Sequence, residues 1–69
     1  MTDFVTCSFV DPVRKFHYMS FVDQPKKKID DFAKYLKGCL GWKDIVIWIF
    51  NDHSEKRLED YLNELEGTK

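Results

Sequence analysis

The chain has 69 residues, which is enough for one small domain near the lower size limit for a self-sufficient core and too few for two. Its 43% apolar and 16% aromatic content, with only three glycines and two prolines, is typical of a folded chain and not of a disordered one. The net charge of −1, and the lack of any apolar run near the ~20 residues of a membrane span, indicate a soluble chain without a strongly basic surface. We therefore predict a single domain over residues 1–69.

The first predicted element is a β-hairpin. Residues 3–10 alternate with a period of two, residues 11–14 have the composition of a turn, and a second strand follows over residues 15–22. A symmetric turn places Cys7 opposite Tyr18 and Phe4 opposite Phe21. The face predicted to join the core carries Val5, Cys7, Phe9, Phe16, Tyr18 and Val22. The other face carries Phe4, Thr6, Ser8, Val10, His17, Met19 and Phe21.

A helix is predicted next, over residues 26–40. Asp23 and Gln24 can cap its start, and Pro25 suits a position near the first turn, where its missing N–H does no harm. Gly38 and Gly41 are both possible ends, and Gly41 is favoured if Leu40 is buried. The buried stripe is predicted to comprise Ile29, Phe32, Ala33, Leu36 and Leu40.

The apolar run over residues 45–50 predicts a strand at the centre of the sheet, because a half-buried strand would alternate apolar with polar residues. A second helix should follow, with Asn51, Asp52 and Ser54 as candidate caps and Glu55 in its first turn. Its narrow apolar stripe is Leu58, Tyr61, Leu62 and Leu65. The order β-β-α-β-α predicts an α+β fold: a two-layer sandwich in which the hairpin plus one strand form a three-stranded sheet, with two helices on one face.

The other face of the sheet would then lack cover. Aliphatic residues fill a core under helices well, whereas Trp tolerates a partly wet site, so we expect Trp48 and Phe50 to point outward. The sequence therefore predicts a small intracellular protein-interaction module that acts by binding alone, as an inhibitor or regulator that occludes a surface of a larger protein or forms a homodimer. The acidic C-terminal helix would steer a basic partner. The predicted partner-binding residues are Phe4, Met19, Phe21, Trp48, Phe50, Glu59, Glu64 and Glu66.

An alternative function is nucleic-acid binding through the basic residues. Lys26, Lys27 and Lys28 lie at a helix start, where free N–H groups and ammonium groups can hold a phosphate, and Arg14 and Lys15 would add contacts. The competing interpretation is that Asp30 and Asp31, four residues further on, pair with two of these lysines on a solvated face. The acidic C-terminal helix disfavours nucleic acid as the partner.

The sequence contains no pattern that indicates catalysis, a metal site or a cofactor. Cys7, Cys39, His17 and His53 lack the spacing of metal ligands, and three adjacent residues, Asp52-His53-Ser54, cannot form a hydrolase triad. We therefore expect no enzymatic activity. Two cysteines without a partner pattern, and no leader segment, predict reduced thiols and a cytoplasmic location without membrane attachment.

Overall fold

In the computed structural model, which describes residues 4–67, four strands form one antiparallel sheet, and two helices pack on one side of it. The α+β class is thus confirmed, but the predicted three-stranded sheet is wrong by one strand. The elements are β1 (Phe4–Asp11), β2 (Phe16–Pro25), α1 (Lys26–Leu36), β3 (Val46–Ile49), β4 (Ser54–Arg57) and α2 (Leu58–Glu66), with single 3₁₀ turns at Trp42–Asp44 and Phe50–Asp52. The strands lie in the sheet in the order β2-β1-β3-β4.

The additional strand is β4, which occupies residues that we expected to open the second helix. It pairs antiparallel with β3, with Glu55 opposite Trp48. Asn51 does not cap a helix: its side-chain oxygen accepts a hydrogen bond from the backbone N–H of Thr6 in β1. His53, with a φ of 51°, completes the turn between β3 and β4. Helix α2 therefore begins only at Leu58, whose N–H donates to the carbonyl of Ile45 at 2.6 Å.

The hairpin forms, but its predicted register is wrong. The turn lies over residues 12–15 and is closed by the Lys15 N–H, which donates to the Asp11 carbonyl at 2.6 Å. Two register shifts then leave unpaired residues in β2, between His17 and Met19 and between Phe21 and Gln24. Such bulges change which residues share a face. The turn over residues 12–15 and the unpaired Tyr18 together place Cys7 opposite Phe21 instead of Tyr18, and Phe21 is buried with the core at 5% exposure.

Helix α1 is one turn shorter than predicted, ending at Leu36, and Leu40 is not buried but 92% exposed. Gly38 disfavours continuation of the helix, and Gly41 takes a φ of 79° that suits glycine. The Leu40 carbonyl accepts a hydrogen bond from the Arg14 guanidinium at 3.3 Å. The segment between α1 and β3 is therefore attached to the hairpin turn through Arg14, and the Leu40 side chain is not part of the buried stripe.

The core lies between the sheet and the helices. Its fully buried strand residues, including Cys7, Phe9 and Ile47, are on the same face, as the cross-strand pairs require. Both helices contribute to the same cluster, and the Tyr61 hydroxyl of α2 donates to Asp30 of α1 at 2.6 Å. The inward helix residues are Ile29, Ala33, Leu36, Leu58, Tyr61 and Leu62. Strand β3 is thus buried on one face only, although its apolar residues do not alternate with polar ones.

Candidate functional site

The sheet face away from the helices, termed here the open face, is not covered by any element among residues 4–67. Cross-strand pairing defines two rows of side chains on it. The first row runs Ser20, Ser8, Trp48 and Glu55, and the second runs His17, Val10, Val46 and Arg57. His17 and Ser20 are hydrogen-bonded to each other at 3.0 Å. The open face is therefore mixed in character, with one large aromatic side chain among small and polar ones.

Trp48 is the largest side chain on the open face, and its position follows from β3. Ile47 and Ile49 point toward the helices, so the side chain between them points away, and Trp48 is 43% exposed. Phe50, which begins the 3₁₀ turn after β3, is 50% exposed. The two rings line an open cavity of about 290 Å³ together with Ile49, His53, Ser54 and Glu55.

The other predicted anchors are not gathered at this cavity. Phe4, at the start of β1, is exposed and belongs by alternation to the open-face side. Met19 is exposed but lies opposite Phe9, in the helix-facing row of the outer strand, and lines a separate cavity with Lys28. Phe21 is buried, so its predicted place on the open face is wrong. The unpaired Tyr18 is the cause, because it shifts the residues of β2 that follow it, including Met19 and Phe21, to the other face.

The acidic residues expected to steer a partner lie on α2, on the helix side of the sheet, and each has a lysine nearby. Glu64 pairs with Lys56 at 2.9 Å, Glu66 with Lys37 at 3.5 Å, and Glu59 approaches Lys43 at 4.0 Å. None of the three borders the Trp48 cavity. The acid that does is Glu55, which sequence reasoning assigned to a helix and therefore missed. No local signal marks it, because its position is set by the pairing of β4 with β3.

The basic residues proposed for phosphate binding are mostly engaged within the chain. Lys26 pairs with Asp30 at 3.1 Å and Lys27 with Asp31 at 3.0 Å, which is the solvated pairing that the four-residue spacing indicated. Lys28 donates to the side-chain oxygen of Gln24 at 3.4 Å. Two of these three lysines are therefore ion-paired on the helix surface and the third bonds to a neighbouring amide, an arrangement that does not favour anion binding.

Arg14 is likewise held by the fold. Its Nε lies 3.2 Å from the carboxylate of Asp11, which is fully buried, and its guanidinium donates to Leu40. The Asp11 carboxylate also accepts the N–H groups of Val13 and Arg14 at 3.0 and 3.2 Å, which fixes the hairpin turn. Of the alternative phosphate-binding set, Lys15 alone has no side-chain contact described within residues 4–67.

The titratable groups with shifted pKa values lie in the core and not at the open face. Burial, with a further contribution from the charge of Asp30, raises the pKa of the Cys7 thiol to about 11. Burial and the hydrogen bond to Asp30 raise the pKa of Tyr61 well above its usual range. Both cysteines are free thiols. Among residues 4–67 no group of three or more His, Cys, Asp or Glu side chains is placed to hold a metal ion.

Comparison with protein-family models, with curated proteins and with solved structures found no match for this chain. No helix within the part of the chain that the structure describes is long and apolar enough to cross a membrane. The role of the open face is therefore inferred from its own residues.

Proposed function

We propose that this protein is a small interaction module that acts by binding alone, as an inhibitor or regulator that covers a surface of a larger protein. The observation that carries the proposal is Trp48: a tryptophan on an inner strand, 43% exposed, on a sheet face that neither helix covers. An inner strand normally buries its large apolar side chains. Exposed aromatic residues at the centre of a surface are typical of sites that bind proteins.

The energetics of protein docking suit this arrangement. A few anchors, most often Trp, Tyr or Arg, carry most of the binding free energy of an interface, and small or polar neighbours exclude water around them. Trp48 and Phe50 provide such anchors, and Ser8, Val46 and Glu55 lie around Trp48. Phe4 extends the apolar surface at the start of β1. The proposal therefore rests on Trp48, Phe50 and Phe4, with Glu59, Glu64 and Glu66 as secondary, already paired charges.

The proposal includes a cytoplasmic location and no enzymatic activity. Two free thiols in so small a domain suit a reducing compartment. The shifted pKa values belong to Cys7 and Tyr61, which are core residues and line none of the four cavities described among residues 4–67. Binding alone is also the function that a chain of this size supports most simply, because it requires a surface and not an enclosed pocket.

The test compares three versions of the tagged protein in pull-downs from a lysate of the native host, followed by mass spectrometry. Trp48→Ala should lose a partner that the unaltered protein retains. Leu40→Ala is the matched control, since it truncates an exposed apolar side chain away from the open face and should retain that partner. Circular dichroism and thermal melting must show that Trp48→Ala is folded. An unfolded variant, or one that keeps every partner, contradicts the proposal.

Two further measurements separate the other candidates. If the open face binds a second copy, sedimentation at micromolar concentration should show a dimer that Trp48→Ala abolishes. Nucleic-acid binding through Arg14, Lys15 and the lysines of α1 would instead weaken steeply with added salt. That alternative is less well supported, because Arg14, Lys26 and Lys27 already pair with carboxylates.

A further inference from the structure

The cavity beside Trp48 has an acidic wall as well as an aromatic one. Glu55 lies directly opposite Trp48 on the neighbouring strand, so both side chains are on the open face. The Leu58 N–H donates to the Ile45 carbonyl, and hydrogen-bonded pairs alternate along an antiparallel ladder. Counting along the register, Trp48 and Glu55 form a non-hydrogen-bonded pair, in which side chains approach most closely. The ring and the carboxylate therefore belong to one site.

Glu55 has no opposite charge paired with it among residues 4–67. Glu55 is exposed and has no ion pair or side-chain hydrogen bond described among residues 4–67. The adjacent Lys56 points to the other face of the sheet, where it pairs with Glu64 at 2.9 Å. Arg57 is two residues further along the same face but forms no ion pair with Glu55. Within the described part of the chain, Glu55 is thus an unpaired carboxylate beside two exposed rings.

We propose that this site binds an arginine side chain of the partner protein. This inference rests on the proposed function and specifies the chemistry of the group that the site recognises. A guanidinium group is planar, so it can stack on the face of Trp48 while its N–H groups bind the carboxylate of Glu55. The charge-assisted hydrogen bonds to Glu55 fix the orientation of the guanidinium group. Phe50 and His53 line the same cavity and limit access of water to the stacked group.

Other occupants satisfy the site less well. An apolar side chain would cover Glu55 and remove its carboxylate from water without a compensating partner, which is costly. An ammonium group can pair with the carboxylate but has no plane to stack on the indole. The cavity, at about 290 Å³, lies at the lower end of the range of ligand sites, and one long side chain suits that size.

The experiment measures the binding of three capped peptides, Gly-Arg-Gly, Gly-Lys-Gly and Gly-citrulline-Gly, by the NMR shift of the Trp48 indole N–H. Citrulline has the shape of arginine without its charge. We expect the arginine peptide to shift the Trp48 resonance and to bind more tightly than the lysine peptide, and citrulline to bind at least about fivefold more weakly. Glu55→Gln should weaken the arginine peptide by about fivefold and leave citrulline unchanged.

Asp31→Asn is the control for net charge, because Asp31 is on α1 and its exposed pair with Lys27 contributes little to stability. It should not alter binding of the arginine peptide. Three results would overturn the inference. The arginine peptide leaves the Trp48 resonance unmoved, the citrulline or lysine peptide binds as tightly as the arginine peptide, or Glu55→Gln weakens binding no more than Asp31→Asn does. A partner that Trp48→Ala loses and Glu55→Gln keeps would overturn this inference while leaving the proposed function intact.

Discussion

Replacement of Arg14 by Met is expected to lower the free energy of unfolding by about 1.5–4 kcal/mol, because Arg14 holds a buried carboxylate. Oδ2 of Asp11 is buried and has the Arg14 Nε at 3.2 Å but no hydrogen-bond partner among the described residues. Removing one partner of a fully buried ion pair costs about 3–5 kcal/mol, and the 42% exposure of the Arg14 side chain reduces this to roughly 1–3 kcal/mol. The lost hydrogen bond to Leu40 adds about 0.5–1 kcal/mol.

Urea unfolding followed by circular dichroism measures this loss. The set should include Asp11→Asn, which keeps a side-chain oxygen for the turn N–H groups, and the double variant with Arg14→Met. If the two side chains interact as the structure indicates, the double variant loses less stability than the two single variants added together. A loss below about 0.5 kcal/mol for Arg14→Met, or simple additivity, would refute the structural role of this pair and leave Arg14 available for a ligand.

Gly41→Ala should destabilise the fold by at least about 1–2 kcal/mol in a thermal melt, because a side chain is strained at a φ of 79° and its Cβ would collide with the Arg14 guanidinium. Phe21→Ala should cost about 3–5 kcal/mol and Phe50→Ala less than about 1 kcal/mol in urea unfolding; equal losses would contradict the register of the hairpin. In the native protein, iodoacetamide should label Cys39 well before Cys7, as mass spectrometry can show, because Cys7 is buried with a pKa raised to about 11. Folded Cys7 keeps its proton where the unfolded thiol releases it, so stability should fall as pH rises from about 9 to about 11, and Cys7→Ala should flatten that fall.

The parts of the fold that follow from local patterns could be predicted from the sequence. The period of two in β1 and the stripe of Ile29, Ala33 and Leu36 in α1 are local signals, and the structure places these residues in the core. Strand β4 gives no such signal. Its residues, Ser54 to Arg57, are all polar, and the segment is a strand because β3 offers it a ladder of backbone partners. Pairing between distant segments of this kind cannot be read from composition.

The candidate site could likewise be predicted only where it depends on local residue patterns. The choice of the aromatic side chain of β3 as the outward one depends on residue type, and Trp48 is exposed while Ile47 is buried. The face of Met19 and Phe21 depends on Tyr18, which has no partner in β1, so the residues of β2 that follow it change face. A hairpin drawn with an even ladder therefore places them on the wrong face. The place of Glu55 at the site could not be predicted, because it depends on cross-strand pairing with Trp48, which is seven residues away in sequence.

The two outer strands of the sheet differ in how they resist the addition of another strand. Strand β2 is interrupted by two bulges, one of them near Asp23 with its φ of 51°, and such irregularities spoil the template that a flat edge offers. Strand β4 is four residues long, and three of its residues are charged. Short length and charged side chains both protect sheet edges in natural proteins from pairing with another strand. Growth of the sheet by edge pairing is therefore disfavoured at both ends, so association of this protein with another chain is expected to use a face of the sheet and not an added strand.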